Sequence, residues 1–387
     1  MRISSSKFLL AEPKILGLTQ IEIMALVILS SLVAAISSSG LLTLGLIFAS
    51  YFSVLIVSSF LGTDLVVSFL RRILPDQKKK ENNFNLNNLV IFQVKSQFDY
   101  SHFDQLVSYH NRFRGSFHNK PESFHFSIYF RKREFKNFDF PLEDESIQNP
   151  IEVLRNERRR AYLQNRLWQN KVFLICEKKW FSDLLSFASS CKIQIEQIDF
   201  DESFLNFDKF NISSGEAFHS IEDGSVHAFG LKTLPTEFDH ADLFQFINSL
   251  NSELDFSISL KKMSAKKSID RISFKQRRIA GFSGGDAKGE IEESLSIEAI
   301  QKTLLNLISG DESILKVQGV LAVYSPTNAF ELPFGALSTS FKKMKHLSTE
   351  ELRDFCLGKQ DNFFTISMTA LEASAIAPLF PHSYDNV

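Results

Sequence analysis

From Ile23 to Thr63 the chain carries no Asp, Glu, Lys or Arg. A bilayer-spanning helix needs about 20 apolar residues and can manage with about 17. The run therefore accommodates two spans, residues 21–37 and 41–60, with a turn at Ser37-Ser38-Ser39-Gly40, where small polar residues interrupt it. After a polar linker the periodicity changes repeatedly. Leu89 to Val94 predicts a buried strand, and Phe103, Leu106, Val107, His110 and Phe113 fall at helical spacing. Phe124, Phe126, Ile128 and Phe130 alternate with His125, Ser127 and Tyr129, the period of a half-buried strand. A charged helix from Ile151 to Trp168 begins after Pro150 and leads into a short strand, Val172 to Cys176. Cys191 to Gly224 has no clear period.

The second half resumes with a strand at Val226–Leu231, a helix over Asp239–Asn251 with Leu243, Phe246, Ile247 and Leu250 inward, and a strand on Phe256, Ile258 and Leu260. A basic helix from about Ser264 to Ala280 meets a Gly-rich loop, Gly281 to Gly289. The next helix turns Ile297, Ile300, Leu304, Leu307 and Ile308 inward and ends at Gly310, before a strand from Ile314 to Val323. The body reads as α+β, in two related layers of sheet and helix. Three regions follow: a hairpin over residues 1–80, a first α+β subdomain over 81–200 and a second over 201–387.

Charge placement orients the apolar run. Lys7 and Lys14 precede it, and Arg71, Arg72, Lys78, Lys79 and Lys80 follow it. By the positive-inside rule both ends face the cytoplasm, so the expected architecture is an α+β cytoplasmic domain behind an N-terminal two-helix transmembrane hairpin. A cleaved signal peptide built on Ile21 to Ala35, or two buried core helices, remain as other readings of the same run. Over all 387 residues, 43 Lys plus Arg stand against 45 Asp plus Glu, a formal net charge of −2. No global basic excess therefore draws the chain to nucleic acid. Three widely spaced cysteines, Cys176, Cys191 and Cys356, form neither a disulfide framework nor a zinc motif.

Motifs for chemistry are sparse. Gly281-Phe282-Ser283-Gly284-Gly285 satisfies G-x-S-x-G, but a nucleophile elbow needs a strand before its serine, and here a charged helix comes first. A tethered serine hydrolase using Ser283 is the weaker enzymatic alternative. Gly284 to Gly289 does not match the phosphate loop G-x-x-x-x-G-K-[ST], and Asp286 and Glu290 give it the wrong charge for phosphate. Ser264-Ala265-Lys266-Lys267 fits S-x-x-K without companion motifs. The nine histidines never pair as H-x-x-x-H, so neither a metal site nor a cofactor is expected. Two basic runs remain, Arg131-Lys132-Arg133 and Arg158-Arg159-Arg160, the second on a helix that also carries Arg155 and Arg166. Each is read either as a solvated face or as a docking surface for an acidic partner or for lipid headgroups.

The segment order resembles two protein families. Ile15-Leu16-Gly17-Leu18-Thr19, Glu22 and the two-span run, with Phe69-Leu70-Arg71-Arg72-Ile73-Leu74-Pro75 after it, resemble TraL-type inner-membrane hairpin subunits of conjugative type IV secretion systems. The remainder resembles the N-terminal region of CagE/TrbE/VirB-type (TraC-like) conjugation ATPases. The matching pieces run from Arg158-Arg159-Arg160 to Asn170 and the strand Val172–Ile175, then through Val226–Lys232 before Pro235, to Arg277-Arg278 and the strand ending at Val323. The resemblance implies a bacterial inner-membrane docking component that positions a separately encoded secretion ATPase. It would contact lipid and other channel subunits and act as an oligomer within the complex. No position matches an ATPase motif, so the chain itself is not expected to be an enzyme. A sensor or scaffold unrelated to secretion is the competing reading.

Overall fold

A computed structural model describes residues 3–4, 26–27, 30, 51, 88–95, 103–134, 168–199, 211–212, 218–221, 224–235, 237–281, 287–325, 330–333, 335, 337–344, 349–360 and 365–379. The first unit runs β2 (Leu89–Val94), α1 (Phe103–Ser116), β3 (His125–Glu134), β4 (Trp168–Glu177), α2 (Phe181–Ser190) and β5 (Ile195–Ile198). Its strands lie in the order β5-β2-β4-β3 with antiparallel neighbours. This is the split β-α-β arrangement, in which the strand that follows α1 is separated from the strand before it by β4.

The second unit repeats the plan. It runs β8 (Gly224–Leu231), α3 (His240–Ser249), β10 (Leu254–Lys262), β11 (Ile314–Ser325) and β12 (Phe341–Lys343). Between β10 and β11 the chain inserts two helices, α4 (Ala265–Gly281) and α5 (Ala287–Ser309). β11 pairs with β10 and β8, and β12 pairs with β8, so the order β12-β8-β11-β10 mirrors the first unit. The halves join along β3 and β10, each the second strand of its unit, antiparallel with Ile128 opposite Ile258. That pairing relates the two units by an approximate twofold axis normal to the sheet. The result is an 11-stranded sheet among the described residues. Two of its strands, β6 (Asn211–Ile212) and β7 (Phe218–Ile221), continue beyond β8. β13 (Ile366–Thr369) pairs with β11 and runs straight into α7 (Ala370–Ile376).

Alternation along the strands divides the side chains between two faces. On one face α1, α2, α3 and α7 cover a core that includes Phe113, Phe117, Phe126, Phe187, Leu243, Ile258 and Leu321. Its aromatic centre is tight, with Phe126 and Phe187 centroids 4.6 Å apart. Phenylalanine supplies much of this volume, with 12 of the 39 Phe in the chain buried in this core. On the other face α6 (Thr349–Cys356) lies over Ile91, Tyr129, Phe173, Ala228 and Val320. Helix ends follow local rules. Asp239 and Asp242 close a capping box on α3, and Gly310, with φ +82°, ends α5 in the left-handed conformation that glycine permits.

The fold departs from the expected hairpin architecture. The fold is a mostly antiparallel sheet with helices, and among the described residues no helix is long and apolar enough to cross a membrane. An N-terminal transmembrane hairpin and a multi-pass inner-membrane location are accordingly not supported. The two long described helices, α4 and α5, carry charges such as Lys266, Lys267, Asp270 and Arg271, or Glu298 and Lys302. The proposed spans fall outside the described residues apart from Leu26, Val27, Ser30 and Tyr51. Ahead of them, β1 (Ile3–Ser4) pairs with β9 (Glu237–Phe238) beside α3. An uncharged run records a preference for leaving water, which a protein interior satisfies as well as lipid does.

Candidate functional site

Three groupings stand out among the described residues, beside smaller contacts such as Ser225 Oγ with His227 Nε2 at 2.9 Å. The first lies at the seam of the two units, on the α6 face. Arg131 stands opposite Asp255 in the β3–β10 register. Asp255 is fully buried, and its Oδ2 accepts from Arg133 Nη2 at 2.7 Å and from Tyr324 Oη at 2.5 Å. Arg131 Nε lies 3.6 Å from the other oxygen, and Arg131 Nη2 donates to Tyr129 Oη at 3.4 Å. The guanidiniums also sit over aromatic rings, Arg133 at 4.6 Å from the Tyr324 centroid and Arg131 at 5.5 Å from that of Tyr129. Burial alone would raise the Asp255 carboxyl, but Arg133 and Arg131 beside it prevail and hold it below the usual range. The Tyr129 and Tyr324 phenols move the other way, pushed up by burial and by the Asp255 charge.

The same polar column continues along β10. Ser257 Oγ donates to Cys356 O at 2.7 Å, and Ser259 Oγ donates to Gly358 O at 3.1 Å. Gln318 Nε2 donates to Lys359 O, and Gln360 Nε2 returns to Ser259 O and Lys316 O. These bonds dock the end of α6 and the four residues after it onto the sheet. Since Ser259 gives its proton to Gly358, it accepts from His125 Nε2 at 2.7 Å. Burial, reinforced by Lys261 and Lys179, lowers the His125 imidazole to about 3, so it is neutral at pH 7.

The run Arg131-Lys132-Arg133 thus lies within β3 and is not a solvated face. Its two arginines point to the seam, and Lys132 points to the opposite core. There Lys132 is 1% exposed, donates to Ile247 O and Leu250 O at the end of α3, and lies 4.4 Å from the Trp168 ring centroid. Burial lowers its ammonium to about 8, and the two carbonyls and the indole take the place of water around it.

The second grouping is His110 on α1 with Ser374 on α7, both completely buried. Ser374 Oγ donates to Leu371 O at 2.6 Å and therefore accepts from His110 Nδ1, also at 2.6 Å. A serine nucleophile needs the reverse direction, its hydroxyl donating to the imidazole base. Here the pair ties α1 to α7. Burial lowers the His110 imidazole to about 4. The cysteines are equally enclosed: Cys176, Cys191 and Cys356 are free and buried, and burial pushes the first two up to about 12.

The third grouping is the inserted helix pair. α4 and α5 share a small core of their own, formed by Ile272, Ile300, Leu307 and Ile314 with Met263, Ile269 and Leu304. Phe274 on α4 is 60% exposed, and Leu305 and Ile308 on α5 are 67% and 68% exposed. Ile308, expected inward, therefore faces solvent one position beyond the inward Leu307. At the foot of the pair, Arg271 Nη1 donates to Ser367 Oγ in β13, and His118 Nδ1 donates to Gly310 O.

Lys14, Arg71, Arg72, Lys78, Lys79 and Lys80, the cluster Arg155, Arg158, Arg159, Arg160 and Arg166, and Ser283 all lie outside the described residues. Among the described residues no group of three or more His, Cys, Asp or Glu could hold a metal ion. Sequence reasoning missed the Asp255 cluster and the His110–Ser374 pair. The one signal for the former was a carboxylate inside an otherwise apolar and serine strand, Leu254-Asp255-Phe256-Ser257-Ile258-Ser259-Leu260. No family model matches the chain, and no curated protein matches it.

Proposed function

We propose that this protein is a non-catalytic docking component, holding a separately encoded P-loop ATPase within a type IV secretion or conjugation assembly. The observation that supports a binding role is the helix pair inserted between β10 and β11. Beside the small core it buries, it keeps Phe274, Leu305 and Ile308 exposed. Single exposed apolar residues are ordinary. Three large ones on a single insertion, on helices packed against each other, offer anchors of the kind that dominate interfaces. By contrast, the Asp255 cluster, the His110–Ser374 pair and the three cysteines are all buried within the fold. The secretion setting comes from the resemblance of segment order, and it names the partner to look for.

The test is recovery of the tagged full chain from its own host, with partners identified by mass spectrometry. A P-loop ATPase accompanied by secretion subunits is the expected result. Leu305→Glu and Ile308→Glu should reduce that ATPase at least tenfold, about 1.4 kcal/mol of binding, without lowering the melting temperature. Recovery of the chain alone, or with unrelated proteins, would overturn the reading in favour of another scaffold.

A further inference from the structure

At the foot of the helix pair the turn Gly310–Ser313 leaves α5 and enters β11. Glu312, in that turn, is 8% exposed, and its Oε1 accepts from Ser313 N at 2.9 Å and from Ala370 N at 3.0 Å. Ser313 O accepts from the same Ala370 N at 2.8 Å. Ala370 opens α7, whose Ala370, Ala373, Ala375 and Ile376 all lie in the core. On the α7 side Glu372 is also buried, with Oε2 accepting from Thr369 N and Thr369 Oγ1. Two buried carboxyl groups thus meet at one joint, where the helix pair, the start of β11 and a core helix are fastened together. Arg271 of α4 reaches the same segment through Ser367.

We propose that the protonation state of Glu312 sets how tightly β13 and α7 are fastened to the foot of the helix pair, so that the joint closes in mild acid and loosens above neutrality. Glu372 on α7 opposes ionisation, and Arg114 on α1 favours it, as do the Ser313 and Ala370 amides. Asp311 of the same turn accepts from Ser309 Oγ, and His118 holds Gly310 O. Burial outweighs the favourable contacts and carries the Glu312 carboxyl up to about 7. A group whose value is raised in the closed joint binds a proton there that the opened joint releases. Closure is therefore fully favoured below the ordinary value of 4.5 and lost as pH rises through about 7. This inference needs no partner and stands or falls apart from the docking reading.

Hydrogen–deuterium exchange of the full chain, corrected for intrinsic rates, tests it. Peptides covering 366–379 should lose about tenfold in protection between about pH 6 and about pH 8.5, while peptides of β4 stay unchanged. Glu312→Gln retains an oxygen for both amides and should abolish the difference, and Glu372→Gln should move it to lower pH. A wild-type profile that is flat over 366–379, or one that persists undiminished in Glu312→Gln, would overturn the proposal. A flat wild-type profile overturns the proposal even if a variant fails to fold.

Discussion

Asp255 shows how one residue can hold a seam. It sits with no exposure at the centre of the sheet, and its charge is balanced by two guanidiniums that are themselves 20% and 28% exposed at the side chain. Removing one member of a buried ion group leaves the others desolvated and unpaired, which costs roughly 3–5 kcal/mol. Asp255→Ala should therefore lower the unfolding free energy by about that amount, read from a urea denaturation midpoint at constant slope. Replacing Asp255, Arg131 and Arg133 together with apolar residues of similar volume should cost much less, because no charge is then left unpaired. If the single substitution is as mild as the triple one, the cluster is not energetically coupled.

At the scale of elements, the close approach after α6 depends on Gly358. Its φ is +110°, and a Cβ there would lie 2.2 Å from Ser127 Oγ. Gly358→Ala should destabilise the protein through both effects. Adding Ser127→Ala removes the nearest atom and should recover the steric part, leaving about 1–3 kcal/mol for the backbone. A double-mutant cycle by thermal denaturation separates the two, and strict additivity would show that the contact does not matter.

Elements with a clean period were legible in the sequence. Leu89–Val94 is β2 over the same residues, and the helix expected on Phe103 to Phe113 is α1. What periodicity left out was the destination of each face. Ser257 and Ser259 alternate with Phe256 and Ile258 as if half the strand met water, yet both serines are buried under the end of α6. Period two distinguishes polar from apolar faces but does not distinguish solvent from a hydrogen-bonded interior. The α7 segment escaped for a related reason. Its alanines carry little hydrophobic signal, although they fit the close contact with α1 and α3. The arginines at the seam were visible as a run, but their shared carboxylate lies across the sheet on another strand.

For the whole molecule, the buried titratable groups pull stability in opposite directions. His110 and His125 are depressed to about 4 and about 3. The unfolded chain therefore takes up their protons first, and stability is lost as pH falls from 6.5 through those values. Glu312 is raised to about 7, so its contribution is present below 4.5 and lost as pH rises toward 7. Across pH 4.5 to 6.5 the carboxyl offsets part of the histidine effect. Glu312→Gln should steepen the rise of unfolding free energy with pH in that window by up to about 1.4 kcal/mol per pH unit. Denaturant titrations of the wild type and variant at several pH values give both slopes, and equal slopes would refute the assignment.

The twofold-like joining of the halves carries a cost in time. During synthesis β3 is complete well before β10 exists, and at ordinary elongation rates the gap is on the order of ten seconds. Over that interval the nascent first half offers neighbouring ribosomes a bare strand edge, the kind of template on which chains mispair. Arg131, Lys132 and Arg133 lie on that edge, three cations in succession that repel an identical emerging strand. The residues that later seal the seam thus also guard it before its rightful partner is made.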